Sequence, residues 1–480
     1  MVWTGLWWLQ LLCVALLVRQ LAPAAPRRAA WLGALFGTSW LLAAVWWLFI
    51  SMYRYGGLPA WAAGGAVLLL SAFLSLYLAA AMATFALLRQ RRALPDALLF
   101  AAVWLLAELA RGVIFTGFPW AASGYAHVDG PLALLAPWIG VYGIGFVGAA
   151  LAAWLALFRP QRRVEWAVPA GLVGALLLAP LTGPIQFSQS SGQLSVTLLQ
   201  SNVSQDEKFA PEFLPQALAW TREQLLAARG DLVVGPETVV PLLPEQLDPA
   251  WWQPLLGHFR AGHQAALVGL PLGDETLGYT NSVAGVSAAT AQEPGGFYRY
   301  DKHHLVPFGE FIPLGFHWFT ELMNLPLGDF NRGPLAAPSF EVKGERIAPN
   351  ICYEDLFGEE LAERFGDEAT APTIFANVSN IGWFGETIAL QQHLNISRMR
   401  ALEFQRPMIR ATNTGATVVI DHAGVVRFAL APYTRGVLDA QVQGRHGLTP
   451  FARWAARFGL WPLLLLACGV LVVAAWRWRP

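Results

Sequence analysis

The chain has 480 residues, with 32 basic and 32 acidic side chains, so its net charge of +0 points to no polyanionic partner and no nucleic acid. Hydrophobic residues make up 55% and charged residues only 13%, where soluble domains carry roughly 25%, and this excludes a wholly soluble protein. The three cysteines, Cys13, Cys352 and Cys468, exclude a disulfide framework, because Cys13 and Cys468 lie within apolar runs and a single thiol remains in the polar part of the chain.

The shortage of charge is local. Residues 1–186 are almost continuous apolar runs, residues 187–450 have a soluble balance, and residues 451–480 contain one more apolar run. The pattern predicts an α-helical transmembrane domain, a large extramembrane domain and a C-terminal transmembrane helix. A helix needs roughly 20 apolar residues to cross the hydrocarbon core. The candidate spans are 5–18, 29–51, 61–88, 97–115, 132–158 and 164–181, then 458–475. The first is the shortest, and it lacks the basic start and cleavage site of a signal peptide.

Arginines set the orientation. Arg19, Arg27 and Arg28 follow the first run, Arg89, Arg91 and Arg92 the third, and Arg159, Arg162 and Arg163 the fifth, with Arg477 and Arg479 near the end of the chain. The positive-inside rule makes these loops cytoplasmic. The domain at 187–450 is then expected on the opposite side, the periplasm of a bacterium. Within the fourth span, Glu108 and Arg111 lie one helical turn apart in "ELARGVIFTGFPW". Charges at such a depth are costly and are often functional. The two side chains either pair with each other or leave Arg111 to meet a lipid phosphate.

In the polar region, short apolar runs bounded by turn residues predict strands over 194–202, 231–238, 265–272, 280–287, 345–354 and 372–380, and a hairpin over 416–430 with its turn at 422–424. Several are apolar on both faces, as in strands buried between layers. Helical periodicity marks 211–230 and 387–405. Alternating strands and helices argue for a layered α/β domain. There is no repeat, no glycine-rich phosphate loop and no His/Cys cluster with zinc spacing, so no metal and no cofactor are expected.

Three chemically capable residues fall at strand ends or just beyond. Glu237 follows "LVVGP", where a carboxylate is suited to general-base work. Lys302 follows "YRYD", with Glu310 eight residues on, in "PFGEFIP", able to brace it. A cation near a thiol lowers its pKa and stabilises an oxyanion. Cys352 ends "IAPNI" and precedes Tyr353, Glu354 and Asp355, where a helix is expected to begin. A helix N-terminus there favours the thiolate, and the Tyr353 N–H is a candidate oxyanion donor. Taken singly, each has a bland reading: a turn-capping acid, a surface ion pair, a buried thiol. Together they supply a base, a stabilising cation and a nucleophile.

The stretches "GPETVVP", "YDKHHLVPFGEFIPL", "GDFNRGP", "IAPNICYED", "NVSNIGWFG" and "QQHLNISRMRALEFQRPMIRATNTG" resemble the nitrilase superfamily. With "ELARGVIFTGFPWAASGY" in the membrane part, nearly the whole chain resembles the apolipoprotein N-acyltransferase family of bacterial inner membranes. The resemblance implies a four-layer α-β-β-α sandwich with Glu237 as base, Lys302 as stabilising cation and Cys352 as nucleophile. It places Glu310, Tyr353 and Glu354 on supporting positions. It implies a phospholipid acyl donor, with phosphatidylethanolamine preferred, and a diacylglyceryl apolipoprotein as acceptor. It also implies a further span ahead of the first run. The family commonly has Trp where "QDEKFAPE" has Phe209.

The aromatic stretches around Phe209, Phe316 and Trp383 are expected to form a rim that shelters acyl chains, because aromatics suit a boundary between lipid and water. The triad alone fits a membrane-tethered amidase or nitrile hydrolase equally well. A transporter or receptor with a binding domain would leave the Glu–Lys–Cys set unexplained.

Overall fold

The computed structural model describes residues 4–159, 185–313 and 330–477, and between 160 and 184 only residues 161, 166, 167, 171 and 174. The predicted span 164–181 therefore falls mostly outside the described residues. Two units emerge from the packing. One comprises residues 1–46, 61–187 and 458–480, the other residues 47–60 and 188–457. The second unit extends from 188 to 457 and also takes in a segment, 47–60, that the hydropathy pattern had assigned to the membrane part.

The first unit is helical: α1 (Trp7–Leu21), α2 (Pro26–Val45), α3 (Ala60–Leu88), α4 (Ala93–Val113), α5 (Ala136–Leu157) and a C-terminal helix, Trp461–Arg477. Helical stretches over Pro26–Val45, Ala60–Leu88, Ala93–Thr116 and Pro131–Leu157 are long and apolar enough to cross a membrane, while Trp7–Leu21 is shorter. Their shared core includes Phe85, Phe100, Trp104, Ala149 and Trp154. Gly33 and Gly37 let α2 approach α3 closely, since a side chain at either position would collide with Leu78, Met82 or Ser75. Small residues serve this purpose where lipid gives no hydrophobic drive between helices.

The second unit holds twelve strands among the described residues: β1 (Gln189–Gln200), β2 (Leu232–Val234), β3 (Ala265–Asp274), β4 (Gly278–Val286), β5 (Tyr298–Asp301), β6 (Phe340–Val342), β7 (Glu345–Ile351), β8 (Ile374–Ser379), β9 (Met408–Thr412), β10 (Val418–Ile420), β11 (Val426–Ala429) and β12 (Gly436–His446). They form two six-stranded sheets, in the orders β12-β1-β2-β3-β4-β5 and β11-β10-β9-β8-β7-β6. The predicted hairpin is β10–β11, paired antiparallel.

The two sheets share one apolar interior that includes Val196, Leu232, Leu267 and Val283 from the first and Ile347, Ile374, Val378 and Ile409 from the second. The other face of the first sheet is covered by α6 (Leu214–Ala227) and α7 (Pro249–Ala261), through Leu225, Trp252, Leu255 and Phe259. The other face of the second is covered by α8 (Ile388–Phe404) and α9 (Pro450–Phe458), through Ala401, Phe404, Phe451 and Ala455. The result is an α-β-β-α sandwich. Strands packed on both faces explain runs such as "IFANVS", in which every residue is buried.

Candidate active site

Strand direction gathers the candidate residues at one end of the sandwich. β1, β2 and β3 run parallel, and β5 returns to the same direction after the antiparallel β4. Glu237 follows β2 and Lys302 follows β5, so both leave the carboxyl end of the first sheet. In the second sheet β7, β8 and β9 are parallel; Cys352 follows β7 and Asn380 follows β8. The loop carrying Glu237 lies so close to β3 that a side chain at Gly269 would collide with the Pro236 carbonyl oxygen.

Lys302 is buried at 1% exposure, and its Nζ donates to Glu310 Oε1 at 2.9 Å and pairs with Glu237 Oε1 at 3.5 Å. Asn281 of β4 bridges the two carboxylates, its Nδ2 donating to Glu237 Oε1 at 2.8 Å and to Glu310 Oε1 at 2.7 Å. The Asn380 main-chain N–H donates to Glu237 Oε2 at 2.8 Å, which links Glu237 to the second sheet. Val306 N–H donates to Glu310 Oε2 at 2.8 Å. Burial works to lower the Lys302 pKa, but the carboxylates of Glu310 and Glu237 outweigh it and hold the ammonium above the usual lysine range.

Cys352 is half-buried, and its backbone is left-handed, with φ 51°. It opens a short 3-10 turn, Cys352–Leu356, rather than the α-helix expected from the sequence. A five-residue turn has little macrodipole to offer. Burial pushes the thiol above its ordinary range, the Glu237 carboxylate adds to this, and Lys302 opposes it without prevailing. The sequence expectation of a lowered thiol pKa is reversed in direction, because burial and the nearby carboxylates outweigh the ammonium.

Glu354 ties the Cys352 turn to the Lys302 loop. Its Oε2 accepts from Ile351 N–H at 2.6 Å and Tyr300 Oη–H at 2.7 Å, and its Oε1 from His303 N–H at 2.7 Å. Burial raises its carboxyl above the usual range against the pull of these bonds. Tyr353 is buried with its ring against Phe357 at 5.3 Å.

Phe209 is 48% exposed. Trp383 packs edge-on against Tyr55 of the 47–60 segment, with ring centroids 5.4 Å apart. Phe316 lies outside the described residues. Glu108 and Arg111 form their own ion pair at 3.9 Å in the helical unit. Glu108 accepts from Ser123 N–H at 2.7 Å, and Arg111 donates to the Phe118 carbonyl oxygen at 2.8 Å. Both are buried, the arrangement that mutual pairing describes.

Sequence reasoning missed Asn281, Asn380 and Lys208. Lys208 is buried and donates to the Glu237 carbonyl oxygen at 3.0 Å, and burial brings its pKa down to about 8 against the raising effects of Glu237 and Cys352. Only "QDEKFAPE", already singled out for Phe209, pointed toward it.

A sandwich with a carboxylate, an ammonium and a thiol at the strand ends defines a carbon–nitrogen hydrolase-type domain, and the family model described as "Carbon-nitrogen hydrolase" matches residues 203–450. A second model, "Apolipoprotein N-acyltransferase N-terminal domain", matches residues 3–154. The chain is 54% identical to an apolipoprotein N-acyltransferase of Verminephrobacter eiseniae over 95% of its length and 90% of the relative's. To that of Ralstonia nicotianae it is 48% identical, over 96% and 88%. The chain belongs to the apolipoprotein N-acyltransferase family, a family of membrane acyltransferases.

Proposed function

We propose that this protein moves a fatty acyl chain from a phospholipid to the α-amino group of a diacylglyceryl-cysteine at the N-terminus of an apolipoprotein, through a thioester on Cys352. The arrangement of Glu237, Lys302 and Cys352 at one end of the sandwich, in a chain similar over 95% of its length to an apolipoprotein N-acyltransferase, carries this reading. Burial and the Glu237 carboxylate raise the thiol pKa, so it needs a base during attack. Glu237 takes the proton as Sγ adds to the ester carbonyl. Lys302 Nζ and the Tyr353 N–H hold the oxyanion. Collapse breaks the C–O bond, and Glu237 returns the proton to the departing lysophospholipid oxygen. In the second half-reaction the acceptor amine adds to the thioester, Glu237 takes an amine proton, and the C–S bond breaks. The sulfur recovers the proton, leaving an amide and free Cys352.

Phosphatidylethanolamine is the proposed donor, a choice that rests on family resemblance. The arginine-rich loops support an inner-membrane location with the catalytic unit in the periplasm. Fusing the site to apolar helices suits a reaction in which both substrates are lipid-anchored; a membrane-tethered amidase acting on a soluble substrate would not need this. The test is N-acylation of a synthetic diacyl lipopeptide, followed by mass. Cys352→Ala should abolish the mass gain, while Cys13→Ala and Cys468→Ala, both exposed, should keep it. Turnover by Cys352→Ala overturns the proposal.

A further inference from the structure

A second buried polar cluster lies behind the nucleophile, and the chemistry above leaves it unused. Asp355, His393 and Arg410 are all fully buried. His393 Nε2 is 3.1 Å from the Cys352 carbonyl oxygen and 2.9 Å from Asp355 Oδ1. Its Nδ1 is 3.0 Å from an Arg410 guanidinium nitrogen. Arg410 also pairs with Asp355 Oδ2 at 3.2 Å, and Ser397 Oγ donates to the same oxygen. Asp355 belongs to the turn itself, while His393 and Ser397 reach it from α8 and Arg410 from β9.

The proton positions follow from the partners. A guanidinium donates and has no acceptor. His393 Nδ1 facing Arg410 must therefore be the accepting nitrogen, and Nε2 carries the hydrogen. That hydrogen is shared between a carboxylate and the carbonyl oxygen of the nucleophile residue. Asn377 Nδ2 adds a weaker contact to the same carbonyl at 3.3 Å.

The consequence lies in the peptide plane. Cys352 has φ 51°, a conformation that costs an L-residue of order 1–3 kcal/mol and persists only when its surroundings fix it. The Cys352 carbonyl and the Tyr353 N–H belong to one planar trans peptide and point in opposite directions. A donor that grips the oxygen from the α8 side therefore directs the N–H away from α8. Arg410 fixes the imidazole at Nδ1, and Asp355 holds Nε2 beside the Cys352 carbonyl oxygen.

We infer that Asp355, His393 and Arg410 are a positioning network that sets the Cys352–Tyr353 peptide, and so aims both the thiol and the oxyanion-holding N–H. The inference rests on Cys352 being the nucleophile. The same donor meets the oxyanion in both half-reactions, so loss of the network should slow both. A loss of alignment of this kind costs about 100-fold in rate.

The experiment uses the full-length protein in detergent, measuring single-turnover thioester formation by intact mass and its discharge by diacyl lipopeptide, with each rate scaled to the folded fraction. His393→Leu should slow both steps about 100-fold while the phospholipid concentration giving half-maximal rate stays unchanged. His393→Gln, which restores an N–H near the Nε2 position, should recover most of the loss. Asp355→Asn keeps the side-chain volume and covers the event that His393→Leu does not fold; it should slow both steps about tenfold. Wild-type rates in folded His393→Leu or in Asp355→Asn overturn the inference, as does His393→Gln that is no faster than His393→Leu. Absence of any Cys352 adduct in the wild type would instead overturn the proposed nucleophile.

Discussion

Glu310→Gln removes one charge and almost no volume, so it isolates what the second carboxylate does for Lys302. Glu310 uses both oxygens: Oε1 accepts from Lys302 and Asn281, and Oε2 accepts from Val306 N–H. Glutamine has one oxygen and one NH2, so either orientation sets a donor against a donor. In both orientations Lys302 keeps only one charged partner, Glu237 at the longer distance of 3.5 Å. Removing one partner of a buried ion pair costs about 3–5 kcal/mol. At the lower end, about 3 kcal/mol corresponds to a fall of about 6–12 °C in the thermal midpoint of a domain of this size. Acylation should slow about 100-fold, because the ammonium is no longer braced where the oxyanion forms. The assays are thermal unfolding in detergent and single-turnover acylation by phospholipid. A midpoint within about 1 °C of wild type, with an unchanged acylation rate, refutes the reasoning.

Lys302→Met should form no thioester with phospholipid; a normal rate would mean that other donors hold the oxyanion. Trp383→Ala should weaken use of long-chain phospholipid more than of short water-soluble esters, and equal losses would leave the Trp383–Tyr55 contact a purely structural role. The pH dependence of Cys352 follows from its raised pKa. Only thiolate reacts with iodoacetamide, so alkylation should climb about tenfold per pH unit from 7 to 9, with a plateau near pH 7 contradicting the account.

The positions of Glu237, Lys302 and Cys352 at strand ends were legible in the sequence from the apolar runs and turn residues before them, while their proposed roles came from the family resemblance. Most strands were legible as well, since they are apolar on both faces. Four were not marked. β5 and β6 are short, with four and three residues. β12 alternates polar and apolar residues, and much of it is exposed. β9 contains Arg410, and a buried arginine breaks an apolar run; only the fold supplies Asp355, 55 residues away in sequence, to neutralise it. The same holds for the supporting residues that were missed. Asn281 meets Glu237 across 44 residues of sequence and Asn380 meets it across 143, separations that periodicity and motif spacing do not register. α7 was hidden by Pro249 and Pro254, although proline is tolerated in the first turn and Pro254 lies inside the helix.

The thioester is the central claim, and intact mass tests it most directly. The purified protein is incubated with phospholipid in the absence of acceptor, then with a diacyl lipopeptide. The account predicts a mass gain of one acyl group, located on the peptide containing Cys352, that disappears as the lipopeptide gains the same group. N-acylation that proceeds with no adduct, or with the acyl group on a residue other than Cys352, would contradict it.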